Sequence, residues 1–441
     1  MRGAGHTRGR IELNHRSGTV KLSTVPEPVR SLYVHVPFCA HKCEYCAFYS
    51  APPSGGVIER YVGALVKELE LIAAECRPTT IFFGGGTPSL LTLKQWETVL
   101  SAMARLGLSG APEFSVECNP ATVSADKARL LRDHGVNRIS MGVQSLDEGL
   151  LDRLGRVHTR DMVFRSFDVL RAAGISNVNV DLMFAIPGQT PEIWDQTLTE
   201  ALALGSEHLS CYEVIYEEDT PLYQQLQAGA FAVDEALACS MYDHLRERAA
   251  AAGFQQYEVA NWARNSTPAG PVVELPGVSL EGIPSHACRH NVGYWRGLDS
   301  FGVGPSASEY VRGLRSRNWA NTDLWISQLE RGRRAKEFAE ALSPRARAGE
   351  MAAFGLRMNA GWPWAEFRTR TGLDLRDSEW REDLAGLVRR GWVEETETHV
   401  RLTSQGLRFA DAVGEILIRV DEAPPEAVRA PARTLRLEAM P

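Results

Sequence analysis

Six short runs rich in β-branched and aromatic residues recur along the chain, and each is followed by a stretch long enough for a helical crossover. The runs are SLYVHV (31–36), TTIFFG (79–84), FSVE (114–117), NRISMG (137–142), NVNVDLMF (177–184) and HLSCYEV (208–214). Between the first two, apolar residues from Ile58 to Ala73 follow the helical period. Strands joined by helices pair in parallel, so the pattern predicts an α/β fold. We expect a parallel sheet curled into a partial (β/α)6 barrel.

A complete eight-stranded barrel is the alternative architecture. We favour the partial barrel, because clear strand–helix repeats fade after residue 260. The part from residue 343 onwards instead reads helix, helix, helix, β-hairpin, helix, which predicts a small winged-helix-like domain. Winged helices often bind DNA, but residues 345–420 hold twelve Arg against twelve Asp and Glu. No basic surface for phosphates is expected, and we interpret this domain as a lid or docking module.

The length of 441 residues suits two or three domains. We predict a flexible leader over residues 1–30, the barrel over 31–260 and a connecting region over 261–342. The winged-helix-like domain is predicted over 343–420, followed by a flexible tail over 421–441.

The composition is that of an ordinary globular protein, with 44% hydrophobic and 23% charged residues. The net charge of -7 gives no general attraction to nucleic acid or anionic membranes. The first thirty residues lack the apolar core of a signal peptide, and no apolar run is long enough to span a membrane. We therefore expect a cytoplasmic protein without a transmembrane segment or a nucleic-acid partner, and peripheral membrane contact is left open.

Three of the eight cysteines lie close together in the sequence, as Cys39, Cys43 and Cys46 with the spacing C-x3-C-x2-C. Thiolates in a reducing compartment suit soft metals and iron–sulfur clusters. A structural zinc with His35 or His41 as its fourth ligand is the alternative, although zinc sites usually combine two pairs of ligands. A four-iron cluster held by three cysteines would leave one iron open. The spacing favours this open iron–sulfur site.

The polar residues that stand out follow the predicted strands at the same end of the barrel. Cys39 comes after the first strand, GGGTPS (84–89) after the second, Glu117 ends the third and Gln144 follows the fourth. Asp181 lies in the second half of the fifth. Functional residues of such barrels lie on the loops at the carboxyl ends of the strands. GGGTPS lacks the G-K-[ST] of a P-loop, so phosphate binding is not expected there.

The cysteine motif, with Tyr45 before its last cysteine, resembles the signature of radical S-adenosylmethionine (SAM) proteins. The resemblance implies a [4Fe–4S] cluster whose open iron binds the amino and carboxylate groups of SAM. It also implies that the reduced cluster cleaves SAM to a 5′-deoxyadenosyl radical. The glycine motif of these proteins contacts SAM, which implies that role for Gly85, Gly86 and Thr87. The resemblance implies a SAM contact for Tyr45 as well.

Longer motifs narrow the resemblance. SVECNP, NRISMGVQSLDEGLLDRLGRVH and VDLMFAIPGQT are similar to the branch that contains oxygen-independent coproporphyrinogen III dehydrogenase and the HemW heme chaperones. The similarity runs from residue 31 to residue 420. It implies that Tyr33 and Glu117 contact one SAM. It also implies that the second SAM position described for the dehydrogenase is lined by Gln144, Arg156 and Asp181.

Two features favour the chaperones within this branch. Phe48 stands where the dehydrogenase typically has a cysteine, and HNVGYW matches a motif associated with heme binding. The resemblance implies heme contacts for His290, Tyr294 and Trp295, with acceptor hemoproteins and a flavodoxin- or ferredoxin-type electron donor as partners. A packed aromatic corner is the alternative interpretation of this motif. The alternative activity is oxidative decarboxylation of two propionates of coproporphyrinogen III to vinyl groups.

Residues 265–288 depart from the pattern of the branch, because this connection is longer than expected and rich in Pro and Gly. We predict a surface loop or flap beside the site. It brings His286 and Cys288 near His290, and either is an alternative axial ligand for heme. FGVGPSAS (301–308) resembles a loop of small residues near SAM.

Overall fold

The computed structural model describes residues 26–54, 56–266, 273–377 and 379–420. Of the leader predicted over residues 1–30, residues 1–25 lie outside the described residues. The tail predicted over 421–441 lies outside them entirely.

Twelve strands of the described chain form one sheet. They are β1 (Val29–Val36), β2 (Cys76–Gly85), β3 (Glu113–Cys118), β4 (Arg138–Gln144), β5 (Asn177–Phe184), β6 (His208–Glu213), β7 (Phe254–Glu258), β8 (Asn261–Arg264), β9 (Ser300–Val303), β10 (Ser308–Val311), β11 (Leu314–Asn318) and β12 (Lys336–Ala341). Their spatial order is β12-β11-β10-β9-β1-β2-β3-β4-β5-β6-β8-β7. Strands β1 to β6 pair in parallel and in chain order, as the six runs predict.

Ten α-helices of the described chain accompany the sheet, and the first six cross over between its parallel strands. They are α1 (Val57–Ile72), α2 (Leu93–Arg105), α3 (Ala125–Asp133), α4 (Glu148–Arg153), α5 (Arg160–Ala172), α6 (Pro191–Ala203), α7 (Pro221–Gln227), α8 (Glu235–Ala251), α9 (Arg289–Trp295) and α10 (Thr322–Glu330). Local sequence sets where they begin. Thr92 and Gln95 form a capping box at the start of α2, and Thr190 caps α6 just before Pro191.

The sheet is an open, partial barrel. Strand β9 pairs in parallel with the outer side of β1, and β10, β11 and β12 continue the sheet in antiparallel fashion. At the opposite edge, β8 pairs antiparallel with β6. Within the described residues no pairing joins the edge strands β7 and β12, so the complete barrel is not formed. Residues 261–342 thus contribute five strands to the sheet, which the sequence pattern did not reveal.

The C-terminal domain packs around its own apolar core. Its elements are α11 (Pro344–Leu356), β13 (Trp362–Pro363), α12 (Trp364–Thr371), α13 (Arg381–Arg389), β14 (Val393–Glu395), β15 (His399–Leu402) and α14 (Ala410–Leu417). Three helices precede the β14–β15 hairpin and one follows it, as expected for a winged-helix-like domain. The domain contacts the barrel through Arg347, which donates to the Gly297 carbonyl at 2.8 Å, and through Phe354 beside Trp295.

Strand register decides which side chains meet inside the barrel. Thr80 of β2 lies opposite Glu113 of β3, and Glu117 lies opposite Ser140 of β4. Gly142 then lies opposite Asp181 of β5. Because side chains alternate between the two faces of a strand, these positions form a polar inner lining. None of the described helices has the length and apolar character needed to cross a membrane.

Candidate functional site

The three clustered cysteines lie on the loop that follows β1. The loop is fixed by backbone bonds, from Cys39 N–H to the Ala51 carbonyl at 3.2 Å and from Cys46 N–H to the Cys43 carbonyl at 3.2 Å. All three thiols are free and half-buried. They line a cavity of about 450 Å³, which we call the cysteine chamber. The carboxyl ends of β2 to β6 provide its other walls.

The donor set of the cysteine chamber fits an iron–sulfur cluster. Three soft sulfurs face one cavity, yet no three His, Cys, Asp or Glu side chains of the described residues are placed to hold one metal ion. The cysteines of a cluster bind different irons, so they need not converge on a single point. His35 is not free to complete a zinc site. Its Nδ1 bonds to the Tyr33 hydroxyl and its Nε2 to the Tyr49 carbonyl, both at 3.0 Å.

The glycine motif brings the end of β2 against the cysteine loop. Gly86 N–H donates to the Val36 carbonyl and Thr87 N–H to the Phe38 carbonyl, both at 2.8 Å. A Cβ on Gly86 would lie 2.7 Å from the Phe38 oxygen. Gly85 has a φ of 108°, and a Cβ there would lie 2.5 Å from the His35 ring. Only glycine allows this approach, and the chain thereby places Gly85, Gly86 and Thr87 on the chamber wall.

Two side chains connect the glycine motif to the rest of the chamber. The Thr87 hydroxyl lies 3.6 Å from Cys39 Sγ. Glu117 accepts the Gly85 N–H at 3.2 Å. Burial, with the nearby Asp181 charge, raises the pKa of Glu117 to about 8, so this carboxyl is mostly protonated at neutral pH. A neutral carboxyl can both donate and accept hydrogen bonds.

Arg156, Gln144 and Asp181 line the opposite wall of the cysteine chamber. Arg156 donates to the Gly142 carbonyl at 2.6 Å and approaches Cys43 Sγ at 3.4 Å. Gln144 has a φ of 67°, where the β4–β5 register also shifts. Such a conformation is uncommon for a non-glycine residue and is often found at functional sites. The structure thus brings these three residues together beside the cysteines.

Two aromatic residues of the cysteine loop lie in different surroundings. Tyr45 lines the chamber, and burial raises its pKa well above the ordinary value. Phe48 is 69% exposed and lies at the boundary with a second cavity. This inner chamber has a volume of about 740 Å³ and extends inside the barrel toward the C-terminal domain. The two chambers share five lining residues, which are Phe48, Glu117, Ser140, Asp181 and Tyr212.

The inner chamber has aromatic walls. Tyr33 lies here and not on the lining of the cysteine chamber, with its ring stacked on Phe82 at a centroid distance of 6.3 Å. Phe82 in turn stacks on His290 at 5.4 Å. Tyr294 and Trp295, from the same short helix α9 as His290, complete this side of the wall. Flat apolar surfaces of this kind suit a planar ligand.

His290 is held in a defined orientation. The backbone N–H groups of Arg289 and His290 each donate to the Glu113 carboxylate at 2.8 Å, which fixes the start of α9. Thr80 donates to Ser31, so its oxygen accepts from His290 Nδ1 at 3.0 Å. This tautomer leaves a lone pair on Nε2, which has no partner. Burial lowers the pKa of His290 to about 3, so the ring is neutral.

His290 is only 1% exposed, and its Nε2 is enclosed by the surrounding side chains. The HNVGYW motif is therefore a packed aromatic corner in this conformation, with Tyr294 packed edge-on against His290 at 4.9 Å. Tyr294 itself is 37% exposed. Binding of iron by His290 would require its Nε2 to be uncovered, and the heme contacts of this motif stay a prediction.

His286 and Cys288 lie outside the lining of the inner chamber. His286 bonds to the Ser266 hydroxyl at 3.0 Å, and Cys288 Sγ lies 3.7 Å from Glu113. Burial raises the pKa of the Cys288 thiol to about 12, which disfavours the thiolate that binds metal. The predicted loop 265–288 includes residues 267–272, which lie outside the described residues. Its described part buries Val273, Leu275 and Ile283 in an apolar cluster beside α9.

The sequence patterns did not identify many residues of the inner chamber, among them Arg138, Glu258 and Tyr212. A signal for Arg138 was present. It precedes Ser140, Gly142 and Gln144 on β4 by even numbers of residues, so it faces the same side of the strand. Tyr212 has a similar signal, because it follows Ser210 by two residues in the strand predicted over 208–214. Glu258 has no such signal, because its position depends on strand pairing at the edge of the sheet.

Comparisons with known proteins agree with this architecture. The model of the radical SAM superfamily matches residues 33–201, and that of the HemN C-terminal domain matches residues 342–409. The first of these families implies a [4Fe–4S] cluster and SAM as cofactors. The solved structure of coproporphyrinogen III oxidase (HemN) from Escherichia coli superposes with a TM-score of 0.76 at 22% identity, covering 90% of this chain and 91% of that one. That likeness supports the fold alone.

Relatives found by sequence identify the family more specifically than the structural likeness does. The heme chaperone HemW of Bacillus subtilis is 34% identical over 392 residues, which cover 87% of this chain and 98% of the relative. HemW of Lactococcus lactis is 30% identical, with 87% and 96% covered, and HemW of Escherichia coli is 31% identical, with 89% and 98% covered. The chain belongs to the HemW family of radical SAM proteins.

Proposed function

We propose that this protein is a heme chaperone of the HemW type, which binds a [4Fe–4S] cluster, SAM and heme and delivers heme to acceptor hemoproteins. One observation carries the proposal beyond family membership. The chamber of the three cysteines adjoins a larger aromatic chamber that contains the HNVGYW motif, and five residues line both. A cofactor and a flat apolar cargo can therefore lie side by side in one barrel.

The cysteine chamber would hold the cluster on Cys39, Cys43 and Cys46. When bound and reduced, the cluster and SAM together supply one-electron cleavage of a sulfonium bond. The chain's own residues orient the cofactor. Thr87 presents its hydroxyl beside Cys39, and the protonated carboxyl of Glu117 can bond to hydroxyl groups such as those of a ribose. The three sulfurs are half-buried, which limits access of water.

The inner chamber would hold heme against Tyr294 and Trp295, with His290 as the iron ligand. The neutral ring and the lone pair on Nε2 are the state that binds iron. Because Nε2 is enclosed, binding is expected to move Tyr294, which is partly exposed and packs edge-on against the imidazole. His286 and Cys288 would need larger rearrangements, since each is bonded outside the chamber.

An anaerobic heme titration of the reconstituted protein, followed by the Soret band, tests this proposal. We expect saturation at one heme per chain in the wild type and loss of the specific Soret shift in His290→Ala. His286→Ala and Cys288→Ser are the matched controls and should bind like the wild type. Binding that is lost in a control variant but kept in His290→Ala would assign the ligand to the alternative residue. The absence of saturable binding by the wild type would contradict the chaperone function.

The partners follow from this function. We propose acceptor hemoproteins as the recipients of heme and a flavodoxin- or ferredoxin-type protein as the source of electrons for the cluster. The free cysteines and the absence of a spanning helix among the described residues are consistent with action in the cytoplasm, with contact to membranes limited to the periphery. The balanced charge of the C-terminal domain supports a role in docking or covering the site and not in binding nucleic acid.

A second candidate is oxidative decarboxylation of coproporphyrinogen III. It is supported by the position of Gln144, Arg156 and Asp181 on one wall of the cysteine chamber. An anaerobic assay with coproporphyrinogen III, SAM, a reductant and an electron acceptor distinguishes the two activities. Release of carbon dioxide with formation of vinyl groups would establish the decarboxylase. Saturable heme binding without this turnover would leave the chaperone as the function.

A further inference from the structure

Arg138 stands out among the charged residues that line the inner chamber. It begins β4, points to the inner face of the sheet and is only 2% exposed. Its Nε atom has no hydrogen-bond partner. No hydrogen bond or salt bridge joins its guanidinium to a carboxylate of the described residues. Nearby groups compensate the buried charge, but hydrogen-bond donors that are buried without a partner still carry a cost, so the site calls for an explanation.

Two carboxyl groups near Arg138, those of Glu113 and Asp181, already accept hydrogen bonds from other donors. Glu113 accepts the two N–H groups at the start of α9, one on each carboxylate oxygen. Asp181 accepts from Asn179 at 2.7 Å and from Ser140 at 3.1 Å, again one on each oxygen. The field of these groups favours the cation, and each of their oxygens already accepts a hydrogen bond. None of these oxygens accepts from Arg138 in the described residues. The donors of Arg138 are thus left for a ligand of the chamber.

The neighbouring groups indicate what kind of ligand this is. His290, whose Nε2 also lacks a partner, lines the same chamber and lies within the field of Arg138. Phe82, Tyr294 and Trp295 provide apolar walls. The chamber therefore combines flat apolar surface, a nitrogen lone pair and one unpaired guanidinium. A planar macrocycle that carries a carboxylate satisfies all three features, because guanidinium groups bind carboxylates through two parallel hydrogen bonds.

We propose that Arg138 is the buried anchor for a carboxylate of the tetrapyrrole that binds in the inner chamber. This inference rests on the proposed function and specifies how the same chamber recognises its ligand. It assigns the acidic side chains of the macrocycle, and not only its metal, to recognition. Porphyrins whose carboxylates are esterified should then bind weakly even when their ring is unchanged.

The test compares iron-free protoporphyrin IX with its dimethyl ester, so that metal ligation plays no part. Binding is followed by porphyrin fluorescence and by quenching of tryptophan emission. We expect the wild type to prefer the free acid by about tenfold or more, the usual range for a hydrogen bond to a charged group. Arg138→Met should bind the free acid as weakly as the ester, and its affinity for the ester should be unchanged.

Two further variants make the experiment decisive. Arg138→Lys keeps the charge and should retain part of the preference. Arg315→Met is the matched control, because Arg315 also lines the chamber but is already paired with Glu340 at 2.7 Å and with Glu350. Arg138→Met is used only if it folds, as judged by circular dichroism and iron content. If it does not fold, the preference for the free acid in the wild type, and its partial retention in Arg138→Lys, still test the inference. Loss of the preference in Arg315→Met alone would move the anchor to that residue and overturn the inference.

The outcomes separate this inference from the proposed function. Tight binding of both porphyrins without a preference would mean that Arg138 is hydrogen-bonded only to water. This result would contradict the inference but not the proposed chaperone function. A preference that persists in Arg138→Met would overturn it as well. So would weaker SAM binding by Arg138→Met with the porphyrin preference intact, which would assign the guanidinium to the methionine carboxylate. Failure of the wild type to bind heme or porphyrin would contradict the proposed function itself.

Discussion

The two chambers of the barrel differ in how completely their polar groups are paired. In the cysteine chamber, Thr87 contacts Cys39, Arg156 contacts Cys43 and Glu117 accepts from the glycine motif. Among the buried side-chain atoms of that chamber's described residues, only Arg156 Nε lacks a hydrogen-bond partner. In the inner chamber six such atoms lack one, and they belong to Arg138, Glu258, His290, Trp295, Ser300 and Arg357. The first arrangement is preorganised for a resident cofactor. The second leaves buried hydrogen-bonding atoms without partners, which is the arrangement expected at a site whose ligand binds reversibly.

The largest effect should come from removing a cluster ligand. Cys43→Ala should abolish the visible absorbance of the reconstituted cluster and all SAM cleavage, because one iron loses its thiolate. Cys118→Ala is the matched control. Cys118 lines the same chamber, but burial raises the pKa of its thiol to about 12, so it is not expected to bind iron. A cluster that survives in Cys43→Ala and is lost in Cys118→Ala would contradict the assignment.

The next largest effect should come from disturbing the close contact between Gly86 and the Phe38 carbonyl, behind the cysteine chamber. Gly86→Ala places a methyl group 2.7 Å from the Phe38 carbonyl oxygen. We expect a loss of about 3 kcal/mol in the free energy of unfolding, since neither backbone segment can move freely. Urea denaturation of the apoprotein measures it, and SAM affinity should fall in parallel.

Gly63→Ala is the control for this substitution. Gly63 lies within α1, and a Cβ there would have no heavy atom within 4 Å. Alanine should stabilise the helix by about 1 kcal/mol relative to glycine. Equal effects of the two substitutions would show that the glycine motif is not sterically constrained.

How far the sequence predicts the molecule depends on which residues carry the pattern. The six parallel strands were predicted because buried apolar residues recur at every second position, as Val178, Val180, Leu182 and Phe184 do in NVNVDLMF. Strands β11 and β12, LRSRN and KEFAEA, were missed because they are polar and half-exposed. They form through pairing with neighbours, which local sequence does not encode.

The same distinction applies to the site. Residues of the cysteine chamber lie on contiguous motifs such as the cysteine loop and the glycine motif, so their grouping was predictable. The inner chamber is assembled from β4, β7, α9 and α11, which are distant in sequence. Arg138 and Glu258 acquire their roles only through the register of the sheet and the docking of the C-terminal domain.

A smaller effect should follow from disturbing the orientation of His290. Thr80→Val removes the acceptor of the Nδ1 proton and leaves a buried donor unpaired, which costs about 1–3 kcal/mol. We expect heme affinity to fall about tenfold, as measured by the Soret titration. Thr79→Val is the matched control, because its hydroxyl bonds to the Arg30 carbonyl at 3.2 Å, away from His290. Equal heme affinities of the two variants would show that the orientation of His290 does not affect heme binding, which would contradict its role as the iron ligand.

A separate test concerns Glu117 and the pH dependence of stability. Its pKa is raised from 4.5 to about 8, so the folded protein retains a proton that the unfolded chain releases. The contribution to stability is complete below pH 4.5 and is lost as pH rises through 8. The stability of the wild-type apoprotein should therefore decline over this range more steeply than that of Glu117→Gln. Parallel pH profiles from urea denaturation would indicate that Glu117 is ionised in the folded state.

The central claim is that heme occupies the inner chamber while the cluster and SAM occupy the cysteine chamber. The most direct measurement is a heme titration of the cluster-loaded protein with SAM bound, in which iron content, bound SAM and bound heme are determined on the same sample. We predict one heme per chain with the cluster and SAM retained. Displacement of SAM or of the cluster in proportion to the heme bound would contradict the claim, because it would place both ligands in one chamber.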